Sequence, residues 1–194
     1  MTDAGMQVTR WAGLSPVPWK NGGGVTRELA SAPPDARSYD VGWRVSIADI
    51  TRSGSLLTFP GLDRVITLID GSPVVLTSEN WTHTLERDTP YRFSGDDPVT
   101  CRVTPGPSLA LNVMTGHGAR SEVQVTSSAT ATRLDPHPGT RLLLVSLVEG
   151  LRVVSASGEE CTLGRHDLLN AGAATQPVEV GPGRYAVVRL GGHS

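Results

Sequence analysis

The chain has 194 residues, enough for one or two domains with a sizeable buried core. Its 17 basic and 19 acidic residues leave a formal charge of −2, and the arginines fall singly, which excludes the basic stripe of a nucleic-acid binder. The first residues lack the basic and apolar regions of a leader, and the longest apolar run, Leu142 to Val148, is interrupted by Ser146 and far too short to cross a bilayer; a soluble cytoplasmic protein with no membrane partner is expected.

In chain order, the first feature is Pro18-Trp19-Lys20-Asn21-Gly22-Gly23-Gly24-Val25-Thr26-Arg27-Glu28. Lys20 is the sole lysine of the chain, a compact and mobile ammonium beside a glycine run. Asn21-Gly22 signals a tight turn, because both residues tolerate positive φ. The glycines serve either as that turn alone or as a place where backbone N–H groups approach a ligand. Thr26-Arg27-Glu28 begins a strand, with Arg27 on the face opposite Thr26 and Glu28. Ala30–Ser38, with its Pro33-Pro34 pair, reads as a loop.

Val41 to Ala48 alternates cleanly: Val41, Trp43, Val45 and Ile47 share one face, and Arg44, Ser46 and Ala48 the other. Further strands are predicted at Arg64–Ile69, Val74–Thr77, Val99–Val103, Leu109–Met114, Glu122–Thr126, Arg141–Val148, Leu151–Ser155, Pro177–Val180 and Arg184–Leu190. No stretch carries a helical stripe ten residues long. The 22 glycines and 14 prolines that punctuate these runs complete the texture of an all-β protein. Cys101 and Cys161 read as reduced core residues, and no C-x-x-C pattern offers a zinc site.

An internal repeat organises the strands. Val65 to Gly71 matches Leu144 to Gly150, and Pro98-Val99 matches Pro177-Val178 at the same offset of 79 residues. Pro105-Gly106 before Leu109–Met114 echoes Pro182-Gly183 before Tyr185–Leu190. Each copy resembles a cupin, a small jelly-roll barrel. The expected architecture is therefore two tandem cupin-like barrels, a bicupin, over residues 1–118 and 119–194, with Ser127 to Thr132 as a small polar connection.

The motif at Pro18–Glu28, followed by Trp43-Arg44-Val45-Ser46-Ile47-Ala48, Phe59-Pro60-Gly61-Leu62-Asp63-Arg64, Phe93-Ser94-Gly95-Asp96 and Asn112-Val113-Met114, resembles the HutD/Ves family over most of the first 115 residues. The resemblance implies a bicupin, some relatives of which are associated with histidine utilisation, with a small carboxylate-bearing ligand in the N-terminal barrel. The chain departs from the family pattern on either side of Asn-Val-Met, where it carries Ala110-Leu111 and Thr115-Gly116-His117.

The residues themselves nominate a ligand site of Lys20, Asn21, Arg27, Glu28, Arg44, Asp63, Arg64, Asn112 and Met114. Arg44 lies on the polar side of its strand, which faces either solvent or a cavity. Arg64 would clamp a carboxylate through parallel N–H donors, with Asp63 or Glu28 orienting it, or else would form a structural ion pair. Asn112 and Met114 share one strand face as an amide donor and an apolar wall. No His-x-His accompanies the single histidines, so no metal and no cofactor are expected. Nor does a Gly-x-Ser-x-Gly nucleophile appear, and no catalytic residue is assigned. Two functions follow: a non-enzymatic binder of a small acidic metabolite, or a metal-independent isomerase or lyase in which Lys20 works with Glu28 or Asp63. A third reading is an interaction scaffold, since sheet surfaces often pair, with a homodimer as the expected partner.

Overall fold

A computed structural model of the chain describes residues 6–34, 42–173 and 176–193. Its described residues form one 3₁₀ turn, Trp11–Gly13, and nineteen strands. The first eleven are β1 (Gln7–Thr9), β2 (Val17–Pro18), β3 (Gly24–Ala32), β4 (Trp43–Ile50), β5 (Gly54–Ser55), β6 (Leu62–Gly71), β7 (Val74–Thr77), β8 (Thr82–Leu85), β9 (Pro90–Ser94), β10 (Thr100–Val103) and β11 (Ser108–Gly116). The rest are β12 (Ala119–Ser128), β13 (Thr132–Leu134), β14 (Thr140–Ser146), β15 (Leu151–Ser155), β16 (Glu160–Leu163), β17 (Leu168–Asn170), β18 (Val178–Val180) and β19 (Gly183–His193). The expected all-β class holds.

Residues 14–118 form one compact unit. Its six-stranded sheet runs β2-β3-β4-β11-β6-β9, and its four-stranded sheet runs β5-β10-β7-β8. Ala48, Ile50, Ile66, Leu68 and Ala110 of the first sheet pack with Val74, Leu76, Leu85 and Cys101 of the second. Each large apolar side chain so buried contributes about 1.5–3 kcal/mol relative to exposure. Period-two alternation sends Val45, Ile47 and Val113 to the opposite face of the six-stranded sheet, where they are also buried.

The second unit combines the segment ending at Gly13 with residues 119–194. Its sheets run β1-β17-β14-β19-β12 and β13-β18-β15-β16. Leu142, Leu144, Tyr185 and Val187 meet Leu151, Val153, Leu163 and Val180 in its core. One division between the units falls between Gly118 and Ala119, and the opening strand belongs to the unit that contains residues 119–194. β1 pairs with β17, Val8 opposite Leu169. Asp167 anchors the same segment by accepting hydrogen bonds from the backbone N–H of Trp11 at 2.8 Å and from Arg10 Nη1 at 2.7 Å.

The four sheets are open: each ends in two edge strands, and within a unit packing rather than a continuous ladder joins one sheet to the other. Ala30 to Ala32, expected as loop, extends β3; Pro33 and Pro34 lie in a bend and turn, and residues 35–38 and Val41 lie outside the described residues. β14 stops at Ser146, so Leu147 and Val148 belong to the turn. The repeat keeps its phase late and loses it early. Val99 and Val178 are both core residues, but Leu144 is inward whereas its repeat partner Val65 faces away from the inter-sheet core. A one-residue shift in a strand exchanges its faces.

Candidate functional site

The polar side of β4 faces inward. Across the six-stranded sheet, register aligns one inward row as Phe93, Arg64, Met114, Arg44 and Ser31. The next row is Tyr91, Ile66, Asn112, Ser46 and Glu28. Below them Leu68, Ala110 and Ala48 close into the apolar core. Between these two rows, the first of which carries both arginines, and the segment from Ser55 to Phe59 lies a cavity of about 500 Å³. Ile50, Leu56, Ile66 and Met114 give it apolar walls, and Arg44, Arg64, Ser46 and Asn112 give it polar ones.

Arg64 is the most constrained of these groups. It is 6% exposed. Its guanidinium lies over the rings of Phe59 and Phe93, with Cζ 5.2 and 4.8 Å from their centroids. Nη1 donates to the Leu57 carbonyl at 3.2 Å and Nη2 to Asn112 Oδ1 at 3.1 Å. The buried Nε–H has no acceptor, and no carboxylate among the described residues lies within ion-pair distance of Arg64. Burial, reinforced by the nearby positive charge of Arg44, pulls its pKa down to about 10.

Arg44 is satisfied differently. Its Nε lies 2.7 Å from Glu28 Oε2, an ion pair whose N–H does not point at the oxygen, so this Nε also lacks a hydrogen bond. The other Glu28 oxygen accepts from Ser31 Oγ at 2.7 Å. These two residues, three apart, share a face because β3 carries an irregularity between Glu28 and Ala30. Such a bulge inserts one residue and restores the phase beyond it.

At the cavity rim, Trp19 to Gly24 form a tight turn closed by Gly22 N–H to Trp19 O at 3.0 Å and Trp19 N–H to Gly24 O at 2.9 Å. Gly22 has φ of 67°. Asn21 Oδ1 accepts from Gly23 N–H at 2.9 Å, and Asn21 Nδ2 donates to Ser55 O at 2.8 Å. The N–H groups of Gly22 and Gly23 are therefore committed to the turn and do not face a ligand. Trp19 Nε1 donates to Thr26 Oγ1 at 2.8 Å, which fixes the indole beside the cavity. Lys20 is exposed on the rim.

Of the nine nominated residues, the cavity lining contains Lys20, Asn21, Arg44, Arg64, Asn112 and Met114. Glu28 stands behind Arg44 rather than orienting Arg64. Arg27 is opposite Ile47 in the ladder, on the sheet face away from the cavity. Asp63 is likewise out of phase with Arg64 and is held by His117 Nδ1 at 2.9 Å. The pairing of Lys20 with Glu28 or Asp63 as acid and base is thus not assembled. Sequence reasoning missed Phe59 and Phe93, although both sit in quoted motif segments. It also missed Ser46, whose place on the Arg44 face was the available signal. Among the described residues, the lining holds no histidine, cysteine or carboxylate. Among the described residues no group of three or more such side chains converges to hold a metal ion.

The family model HutD matches residues 12–185. Protein Ves of Citrobacter koseri is 46% identical over 99 residues, 50% of this chain and 51% of its own, so the match spans about half the length of that relative. The solved structure of HutD from Pseudomonas fluorescens SBW25, in a formate condition, superposes with a TM-score of 0.82 at 32% identity, covering 97% of this chain and all (100%) of that one. A cupin 2 conserved barrel domain protein from Leptotrichia buccalis, 11% identical, matches with a TM-score of 0.57 over 95% of this chain and 100% of its own, a likeness of fold alone.

Proposed function

Because this chain belongs to the HutD family, we propose that it is a metal-independent bicupin, with residues 14–118 as one cupin-like module and residues 119–194 together with the segment ending at Gly13 as the other, that binds a small carboxylate metabolite and acts in the regulation of histidine utilisation. The observation that carries this reading is Arg64: a guanidinium removed from water, in contact with two rings, with a donor lacking an acceptor and no carboxylate of the described residues beside it. A buried charge of that kind is costly unless a counter-charge arrives. A ligand carboxylate completes the fork that Arg64 presents, with Arg44 and Asn112 within the same pair of rows. Lys20 on the rim would meet a second anionic group of a longer ligand. The cationic lining disfavours a metal ion, and its described residues include no imidazole, thiolate or carboxylate ligand. HutD of Pseudomonas fluorescens in a formate condition supports the choice of formate as the smallest probe.

The test is thermal unfolding with formate, urocanate, formiminoglutamate, formylglutamate, glutamate and their neutral analogues, with recovery of each compound afterwards. A carboxylate at one hundred times its Kd stabilises by about 2.7 kcal/mol, which raises Tm by roughly 5–10 °C in a protein of this size. Stabilisation by carboxylates alone, abolished in Arg64→Met and with the compound recovered unchanged, is the expected result. Equal stabilisation by neutral analogues would remove the carboxylate clamp from the reading, and conversion of the compound would replace a binder by an enzyme.

A further inference from the structure

From the arrangement around His117, we infer that this residue is a proton-dependent latch that positions the wall segment 57–61 and so sets the anion affinity of the cavity; the inference rests on the anion-binding reading of Arg64. His117 lies in the turn between β11 and β12, outside the cavity lining. Both its ring nitrogens meet carboxylates: Nδ1 is 2.9 Å from Asp63 Oδ1, and Nε2 is 2.7 Å from Asp96 Oδ2. A neutral imidazole has one N–H, so one of its nitrogens would then turn a lone pair towards an anionic oxygen. Only the imidazolium donates to both. Asp63 and Asp96 are the charged groups that face it, from β6 and from the β9–β10 turn; among the described residues no other carboxylate or cation lies within ion-pair distance of the ring.

The two carboxylates are tied to the cavity wall. Asp96 Oδ1 accepts from Gly61 N–H at 3.0 Å, and the backbone N–H of His117 itself donates to Gly61 O at 3.1 Å. Gly95, next to Asp96, donates to Leu62 O at 2.7 Å and accepts from Phe59 N–H at 2.8 Å. Asp63 directly precedes Arg64. The clasped segment supplies Leu57, whose carbonyl receives Arg64 Nη1, and Phe59, which stacks on the same guanidinium. His117 thus acts on the anion site through the wall, as a positioning residue and not as a ligand contact. Hydrogen bonds to Asp96, then Asp63, raise the His117 pKa, and the His117 and Gly61 donors lower that of Asp96. The clasp is complete between those two values and opens as pH rises through the His117 value.

The test follows formate binding by chemical-shift titration from pH 6 to 9, below the Arg64 value of about 10, in the wild type, in His117→Gln and in the binding control Arg64→Met. The wild-type Kd is expected to weaken roughly threefold to tenfold across that span, the scale of two exposed ion pairs. His117→Gln should bind weakly at pH 6 and show no such dependence. A wild-type profile that is flat, or one that persists in His117→Gln, overturns the latch. If formate binds the wild type at no pH, the anion-site reading fails on its own. The latch is then decided by amide exchange at Phe59 and Gly61, corrected for intrinsic rates. Protection lost over this pH range in the wild type, and missing already at pH 6 in His117→Gln, upholds it; protection indifferent to pH overturns it.

Discussion

Arg64 carries a cost that the free protein bears and a ligand relieves. The fall of its pKa from 12.5 to about 10 corresponds to roughly 3 kcal/mol disfavouring the charged form at neutral pH. Two hydrogen bonds and two ring contacts offset part of this. Arg64→Met removes the penalty together with those contacts. Its Tm without ligand is therefore expected to match or exceed that of the wild type, while protection by formate disappears; a drop of many degrees would mean that Arg64 is chiefly structural. Glu28→Gln tests the neighbouring arginine. With the carboxylate at Arg44 Nε neutralised, nothing competes with an incoming anion, and formate affinity should rise about twofold to fivefold. A lower affinity in an isothermal titration would show that Glu28 holds Arg44 in its binding orientation.

The inward face is built by elements, and two local features keep its phase. The β3 irregularity brings Glu28 and Ser31 onto one face. Gly24 lets β3 come so close to β4 that an added Cβ would overlap the Asp49 carbonyl. Gly24→Ala has no φ penalty to confound it, so its cost is steric. The expected loss is about 1–3 kcal/mol in urea unfolding, against near-neutrality for Ala at Gly13, where open space surrounds the position. The sequence made the long strands legible, β4 by its period-two alternation and β6 and β11 by near-continuous apolar runs. It hid Thr82–Leu85 and Pro90–Ser94, each with one buried residue amid polar and half-buried ones. Arg64 and Arg44 were readable from their place beside apolar strand positions. Arg27 and Asp63 were not separable from them, since the choice of inward face is made by register with neighbouring strands, and the bulge that moves the phase leaves no mark in composition. His117 was invisible because its partners are 54 and 21 residues away.

At the scale of the whole molecule, the segment through Gly13 belongs with residues 119–194, and Asp167 is the side chain that fastens it there. Asp167 is 5% exposed and accepts from three donors: Trp11 N–H, Arg10 Nη1 and, at 2.8 Å, Gly164 N–H. Burial pushes its pKa upward, but the bonds from Trp11, Arg10 and Gly164 outweigh it and leave the value depressed. A carboxylate whose folded value is depressed contributes stability that is present above its unfolded value, near 3.8, and is lost as pH falls through the folded one. β1 should therefore detach from β17 in acid, ahead of the core beneath. Asp167→Asn turns an amide donor towards protein donors and removes the charge from Arg10, so a loss of about 2–3 kcal/mol is expected. The measurement is amide exchange along the paired residues Val8 and Leu169 from pH 6 to 3. Wild-type protection should fall across the lower part of that range, whereas in Asp167→Asn it should be weak at pH 6 and change little further. If the variant instead keeps wild-type protection at pH 6, the segment is held by its strand pairing, and Asp167 is not its fastening.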